Sequence, residues 1–215
     1  IQINEPQLLG FFWRFLVMDD PTVNCFLVRD ADSLVSYRER AAVDEWLQSQ
    51  KWFHCMHDSY THTELILAGM WGGFNGVLKH IEQHVHDFVR SGNFPDRRVM
   101  DQHYLRHCIW PTIQQSVFIH DSQGFEPSAV PFPIHTQATD FEDLKQFHIG
   151  MNEGSAQVST LVNIPNASHV EWVIKDEKNQ EVCRYYANVL SNRQITLELP
   201  RRYAVKINAK QWSLH

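Results

Sequence analysis

The chain has 215 residues, a net charge of −6 and 43% hydrophobic residues, enough for one large or two small domains with a substantial core. The acidic balance argues against non-specific nucleic-acid binding, which rests on phosphate neutralisation by Lys and Arg. No apolar run approaches bilayer length, and the first residues carry no charged leader with a cleavage site, so neither a transmembrane segment nor secretion is expected. Cys25, Cys55, Cys108 and Cys183 fall on apolar or structured stretches without any CxxC spacing, which fits reduced core cysteines better than a disulfide framework or zinc site and makes the cytoplasm the expected compartment.

From the start of the chain, Gln7 to Met18 places Leu8, Phe11, Phe12, Phe15 and Leu16 at helical spacing, and Asp19-Asp20-Pro21 reads as a turn. The apolar run Cys25 to Val28 predicts a buried strand with Asp30 and Asp32 directly after it. Two carboxylates one residue apart at a strand end can face one point, and Mg²⁺ or Mn²⁺ takes few protein oxygens with water and substrate phosphates as the rest. Asp-x-Asp here is therefore a candidate metal–diphosphate anchor. Ser36-Tyr37-Arg38-Glu39 matches a capping box, so a helix is expected to start there and to run to about Gln50, with Ala42, Val43, Trp46 and Leu47 inward. Arg29 or Arg38 could pair with a phosphate, although Arg38 also suits the first turn of that helix.

Trp52 to Met56 predicts a second strand, and His54, His57 and His62 follow no compact zinc spacing; a loop at the mouth of the site is expected, with Asp58 and His62 near the substrate. Thr63 to Trp71 is largely apolar and runs into Gly72-Gly73, where the missing Cβ permits close approach of a ligand or a sharp turn. Trp71 fits a sugar-facing aromatic and a core filler equally well. Phe74 to Val89 reads as an amphipathic helix. Its His80-Ile81-Glu82-Gln83-His84 misses the zinc-protease motif because the Glu stands one position late. Ser91 to Pro95 breaks that helix, Asp96 to His107 predicts another with Asp101-Gln102 near its start, and Trp110-Pro111 ends it. Val117-Phe118-Ile119 predicts a short strand leading into His120, an arrangement that repeats Val28-Arg29-Asp30 and makes His120 a third candidate ligand. Gln123 to Gln146 is Pro-rich and reads as a closing loop and linker.

Past residue 150 the pattern changes. Gln157 to Ile164, His169 to Lys175, Glu181 to Val189, Gln194 to Leu199 and Tyr203 to Ile207 are short alternating or β-branched runs separated by turn residues. They predict a small antiparallel β domain, a sandwich in outline, with no catalytic constellation. Trp172, Tyr185, Tyr186 and Trp212 are its aromatic candidates for glycan contact, with core packing as the default.

Several of these motifs occur together in a known family. Arg29-Asp30-Ala31-Asp32-Ser33, Arg38-Glu39, Ala42-Val43, Glu45-Trp46-Leu47, Ala68-Gly69-Met70-Trp71-Gly72, Asp101-Gln102, Ile109-Trp110-Pro111 and His120-Asp121-Ser122 resemble the catalytic portion of GT-A-like glycosyltransferases. The resemblance spans roughly residues 9 to 150. It implies an α/β fold, a partial GT-A-like mixed sheet with flanking helices over 1–150, followed by the antiparallel β module over 151–215. It further implies Mn²⁺ or Mg²⁺ on Asp30, Asp32 and His120, a nucleotide-sugar donor held with help from Arg29, Arg38, Trp71 and Gly72, and a glycan or other hydroxyl acceptor. Asp101 or Asp58 would orient or deprotonate that acceptor, with Glu64 as another candidate base. The chain departs from the family in carrying His57 where an Arg is usual and Ser59-Tyr60 where His-Pro is usual. Only a short segment precedes the Asp-x-Asp and the chain starts at Ile1 rather than Met, so a nucleotide-binding half is expected to be supplied from a longer polypeptide. Two other functions fit the same residues: a non-catalytic carbohydrate-binding or assembly protein derived from a transferase, and a metal-dependent hydrolase.

Overall fold

The computed structural model describes residues 10, 12–92, 96–134, 136–137 and 147–215. The chain divides at Met151/Asn152 into two compact units. The first is a mixed helix–sheet unit, and the second is built mainly of antiparallel strands. Among the described residues no helix is long and apolar enough to cross a membrane.

The first unit is organised on a four-stranded sheet in the order β1-β3-β2-β4, where β1 is Cys25–Arg29, β2 Phe53–His57, β3 Met70–Phe74 and β4 Val117–Asp121. β3 is antiparallel to β1 and β2, and β2 is parallel to β4. β1, β2 and β4 therefore run in one direction and end at one rim. The register pairs Val28 with Trp71, Trp71 with Cys55 and Cys55 with Ile119, so these side chains share a face. They form the main core with Phe12, Phe15, Ile81, Val85 and Tyr104. The expected helix over Gln7 to Met18 lies partly outside the described residues; Trp13–Asp19 is a 3₁₀ helix with Phe15 and Met18 buried.

The opposite face is covered by α1 (Tyr37–Gln48). Its start is set by Ser36, whose Oγ accepts the Glu39 N–H at 3.1 Å. Glu39 does not reciprocate, because its carboxylate is paired with Arg29. Ala42, Val43 and Trp46 are buried, but Leu47 is 45% exposed, a correction to the expected four-residue stripe: the inward face is narrower than the apolar run suggests. Trp46 stacks on His54 with centroids 5.3 Å apart.

The apolar period from Phe74 to Val89 crosses two elements. Phe74 closes β3, and the helix α2 is Ile81–Ser91. Asp19 fixes that start by accepting the N–H groups of Ile81 and Glu82 at 3.0 and 2.9 Å, a capping role for a residue of the predicted turn. His80 is the residue before the helix, with φ 57°, so His80 and His84 do not lie along one helical face. The later helix also differs from expectation. After a 3₁₀ turn at Arg97–Val99 come α3 (Met100–Tyr104), a π turn at Leu105–Ile109 and α4 (Trp110–Ile113). The helical path passes Pro111 because the wide π turn resets the hydrogen bonding and leaves the proline in a first turn, where its missing N–H is not needed. Part of the Pro-rich stretch 123–146 lies outside the described residues.

In the second unit β5 (Ser155–Leu161) pairs with β8 (Gln194–Pro200), while β6 (His169–Lys175) pairs with β7 (Glu181–Asn188) and with β9 (Ser213–Leu214). Val158, Ile195 and Leu197 of one sheet meet Trp172 and Ile174 of the other in a shared core. The expected fifth strand is instead the middle of α5 (Arg201–Asn208). Tyr203, Val205 and Ile207 alternate, but Tyr203, Ala204 and Ile207 also fit a helical stripe. The latter packs on the core, with Val205 59% exposed. Trp172 is buried, Tyr185 and Tyr186 are exposed, and the Trp212 indole N–H donates to Glu177 at 2.7 Å.

Candidate functional site

In open α/β sheets ligands bind beyond the carboxyl ends of the strands. Three such ends meet at one rim here, and each is followed by or closes on a carboxylate: Asp30 after β1, Asp58 after β2 and Asp121 as the last residue of β4.

Asp121 is committed to backbone. Its Oδ1 accepts N–H from Gln123 and Gly124, its Oδ2 from Phe125 and Glu126, at 2.6–3.1 Å. Burial works to raise its pKa, but these four bonds outweigh burial and hold it below the usual carboxylate range. Asp58 is committed as well. Its side chain is 2% exposed, takes Arg38 at 2.5 Å and accepts the Ile149 N–H at 2.9 Å. Arg38 also lies over the Phe132 ring, 4.6 Å from its centroid. The placement of Asp58 as an acid–base group is thus corrected to a buried clamp between α1 and residue 149.

Asp30 is different. Its side chain is 47% exposed, and Oδ1 meets Nη1 of Arg14 at 2.5 Å. A Cβ on Gly69 would collide with its carboxylate, so the glycine is needed for the close approach of this loop to Asp30. Gln102 fixes the loop by accepting the Ala68 N–H at 2.7 Å and donating to the Ile66 carbonyl at 2.5 Å. Asp101, beside Gln102, has its pKa raised, chiefly by burial, with the Asp30 charge adding to the rise and Arg14 opposing it. The structure therefore brings Asp30 and Asp101 into one electrostatic neighbourhood with Arg14 between them in sign. Asp32 is exposed nearby on the same connection.

His120 does not join them. β1 and β4 are the outer strands of the sheet, about 14 Å apart at the ~4.8 Å spacing of neighbouring strands. His120 pairs with Met56 and lies on the α1 side, fully buried. Its Nδ1 is 2.8 Å from Nε2 of His54 and its Nε2 3.1 Å from Glu45, with Phe132 stacked on the ring. Burial lowers its pKa against the pull of Glu45; burial, then His120 and Arg29, drive His54 well below its ordinary value. Among the described residues no group of three His, Cys, Asp or Glu could hold a metal. The three-ligand set is corrected on this ground: a one-residue step along a strand reverses the face, and His120 falls on the wrong one.

Other expected contacts move into the interior. Trp71 is fully buried in the main core, and Gly72 lies within β3, against the backbone of Phe26 and the side chain of Leu27. Arg29 is mostly buried, paired with Glu39, and donates to the carbonyls of Val28 and Trp71 at 2.6 and 3.1 Å. All three lie in the interior of the sheet, and the unpartnered Arg29 Nη2 and Trp71 Nε1 are themselves buried, which separates them from the exposed rim where a donor was expected to meet them. Glu64, another candidate base, is bound by Arg106. His54 lies within β2, where a strand was expected, and His57 closes that strand rather than opening a loop. His57 is 2% exposed; burial lowers its pKa while Asp121, Glu126 and a hydrogen bond with the Glu64 backbone oppose the fall. His62 does sit beyond the strand, where Nδ1 accepts the N–H groups of Asp58 and Ser59 at 3.1 and 3.2 Å. Burial, with His148 and His57, lowers its pKa to about 4 despite Asp58, leaving a neutral ring whose proton is on Nε2.

No protein-family model matches the chain, and no curated protein or solved structure is detectably similar to it. Arg14 is the functional candidate that sequence reasoning missed. The available signal was a single cation inside the aromatic run Phe11-Phe12-Trp13-Arg14-Phe15.

Proposed function

We propose that the rim where β1, β2 and β4 end is the site of a GT-A-like glycosyltransferase, which moves a sugar from a nucleoside-diphosphate donor to a glycan or other hydroxyl acceptor. The observation that carries this reading is the Asp30 corner: an exposed carboxylate with a cation on one oxygen, a glycine-cleared approach on the other and the half-buried Asp101 in its electrostatic neighbourhood. The donor set tests which metal arrangement fits. Asp30, Asp32 and His120 together do not, whereas the oxygen pair Asp30 and Asp32 suits Mg²⁺ or Mn²⁺, which need only one or two carboxylates beside substrate phosphates. When bound, such an ion supplies Lewis-acid neutralisation of charge on the departing diphosphate.

The chain's own residues do the rest. Asp101, with a raised pKa, accepts or orients the proton of the acceptor hydroxyl. Gln102 holds the Ile66–Gly69 loop, and so the position of Asp30. A nucleotide-binding half supplied with this chain would join at β1, whose outer edge pairs with no strand among the described residues.

The test is a thermal-shift titration with Mn²⁺, alone and with UDP or GDP, on the chain and on a variant with Asp30 and Asp32 both changed to Asn. A ligand that binds only the folded state raises the melting temperature. A metal-dependent nucleotide shift absent from the variant is expected; equal shifts in both proteins would sink the reading. One observation favours a second reading, a non-catalytic carbohydrate-binding or assembly role: Arg29 and Arg38, the phosphate candidates from the sequence, are both closed in ion pairs. That reading expects glycan binding without any nucleotide shift.

A further inference from the structure

Under α1 the sheet carries a line of three hydrogen-bonding side chains that the rim does not use. Glu45, on the partly exposed side of α1, meets Nε2 of His120 at 3.1 Å, and Nδ1 of His120 lies 2.8 Å from Nε2 of His54; both histidines are fully buried. This geometry fixes the protons. An ionised carboxylate only accepts, so His120 carries its proton on Nε2; its Nδ1 then accepts, and His54 carries its proton on Nε2 as well. One ring nitrogen is left for a further proton, Nδ1 of His54, which is buried with no hydrogen-bond partner among the described residues. A proton there makes an interior cation and a buried N–H without an acceptor, both unfavourable until water reaches them. Water is kept out by Trp46 of α1, itself buried and stacked on the His54 ring with 11° between the planes. The indole face attracts a cation, but it lies above the imidazole and cannot accept an N–H that points along the imidazole plane. The surrounding charges do not compensate. On α1, Glu45 is already bonded to His120, and Arg38 and Glu39 are paired with Asp58 and Arg29. Arg29 of β1 acts on His54 as a like charge. Asp121 of β4 is held by the N–H groups of residues 123–126, and β3 and residues 129–134 carry no titratable side chain.

We propose that Glu45, His120 and His54 form a proton-operated latch on the last turn of α1, closed while both rings are neutral and opened by one solvent proton taken up at His54 Nδ1. Opening lifts Trp46 and Glu45 from the sheet and lets water solvate the new cation. The first turn of α1 stays in place, because Ser36 caps it and Arg38 and Glu39 tie it to Asp58 and Arg29. The direction with pH follows from linkage. Burial, then His120 and Arg29, hold His54 well below its ordinary value in the closed form, so below about pH 6.5 the open form binds more protons and acid favours it. The latch lies on the α1 side of the sheet and does not depend on the reading of the Asp30 corner.

The experiment uses the whole chain and a His54→Gln variant, whose amide N–H can still donate to His120 Nδ1 but which has no basic nitrogen. Long-range proton–nitrogen NMR spectra at pH 7.5 read the tautomer of each ring. Amide hydrogen exchange, corrected for intrinsic rates, is then compared at pH 7 and pH 5. Both His54 and His120 are expected as Nε2–H tautomers. Protection at Trp46, Leu47 and Gln48 is expected to fall roughly tenfold further than at Ala41 to Val43 or across α2, since an opening that takes up one proton gains up to tenfold per pH unit below about 6.5. In His54→Gln that extra loss should vanish. An Nδ1–H tautomer at His54 overturns the latch. So does a loss shared equally by both ends of α1 and by α2, which is global unfolding, and so does an extra loss that persists in His54→Gln. Should the variant fold poorly, the parental tautomers and the comparison within α1 still decide.

Discussion

The two corners of the rim use the same residue types for opposite ends. At the β2 corner Asp58 is buried, pinned by Arg38 and by the Ile149 N–H; it joins α1 to a later part of the unit. At the β1 corner Asp30 is half-exposed and its partner Arg14 is free to move into solvent. A carboxylate–arginine pair is therefore structural or available according to burial, and sequence spacing does not distinguish the two. Arg29 follows the first pattern although it adjoins Asp30.

Substitutions that break one corner and spare the other sharpen the contrast. The largest effect is expected for Arg29→Met, which leaves the buried Glu39 without its cation: destabilisation by roughly 3–5 kcal/mol in urea titrations. The double variant Arg29→Met/Glu39→Leu should recover most of that loss. Arg38→Ala should be milder, roughly 2–3 kcal/mol, because the Ile149 N–H remains on Asp58 and Arg38 is partly exposed. A parental urea midpoint in Arg38→Ala would show that the Asp58 clamp carries no load.

Acidification comes next. His54, His57, His62 and His120 all have pKa values lowered by burial in the fold, so below the unfolded value of about 6.5 the unfolded chain binds more protons than the folded one. Stability is then fully present above pH 6.5 and is lost as pH falls toward the folded values, about 4 for His62. Each ring contributes at most about 1.4 kcal/mol per pH unit in that window, and His62 less because it is partly exposed. Urea midpoints at pH 7 and pH 5 should differ accordingly, with a flatter profile in His54→Phe; a pH-independent midpoint would contradict the buried neutral state. The smallest effect is at the available corner: Arg14→Ala should shift stability by less than about 0.5 kcal/mol, measured by the same urea titration. A larger loss would class Arg14 with Arg29.

Local signals were legible where a residue type answers a local need. Ser36 caps α1, the apolar run after Asn24 forms β1, and Asp30 follows the strand as spacing indicated. The change from mixed elements to short alternating runs near residue 150 falls beside the division at Met151/Asn152. Where two periods fitted one run, spacing could not choose: Tyr203 to Ile207 folds as helix because Ala204 and Ile207 meet the core, and Phe74 belongs to a strand rather than to α2. Trp71 fitted both a sugar contact and the core, and the strand pairing with Val28 and Cys55 assigns it to the core.

The sequence by itself determined the Ser36 cap, the runs that form strands and the placing of acidic groups at strand ends, because these depend on neighbours a few residues away, whereas the Asp19 cap of α2 bridges 62 positions. Only the tertiary structure decided which charged groups meet. Strand order puts His120 at the far edge from Asp30, and face alternation turns it toward α1. Arg14, 16 positions before Asp30, reaches it across the sheet's other face. Coulomb interactions fall with distance in space and grow with burial, and neither quantity is written in the spacing of residues along a chain.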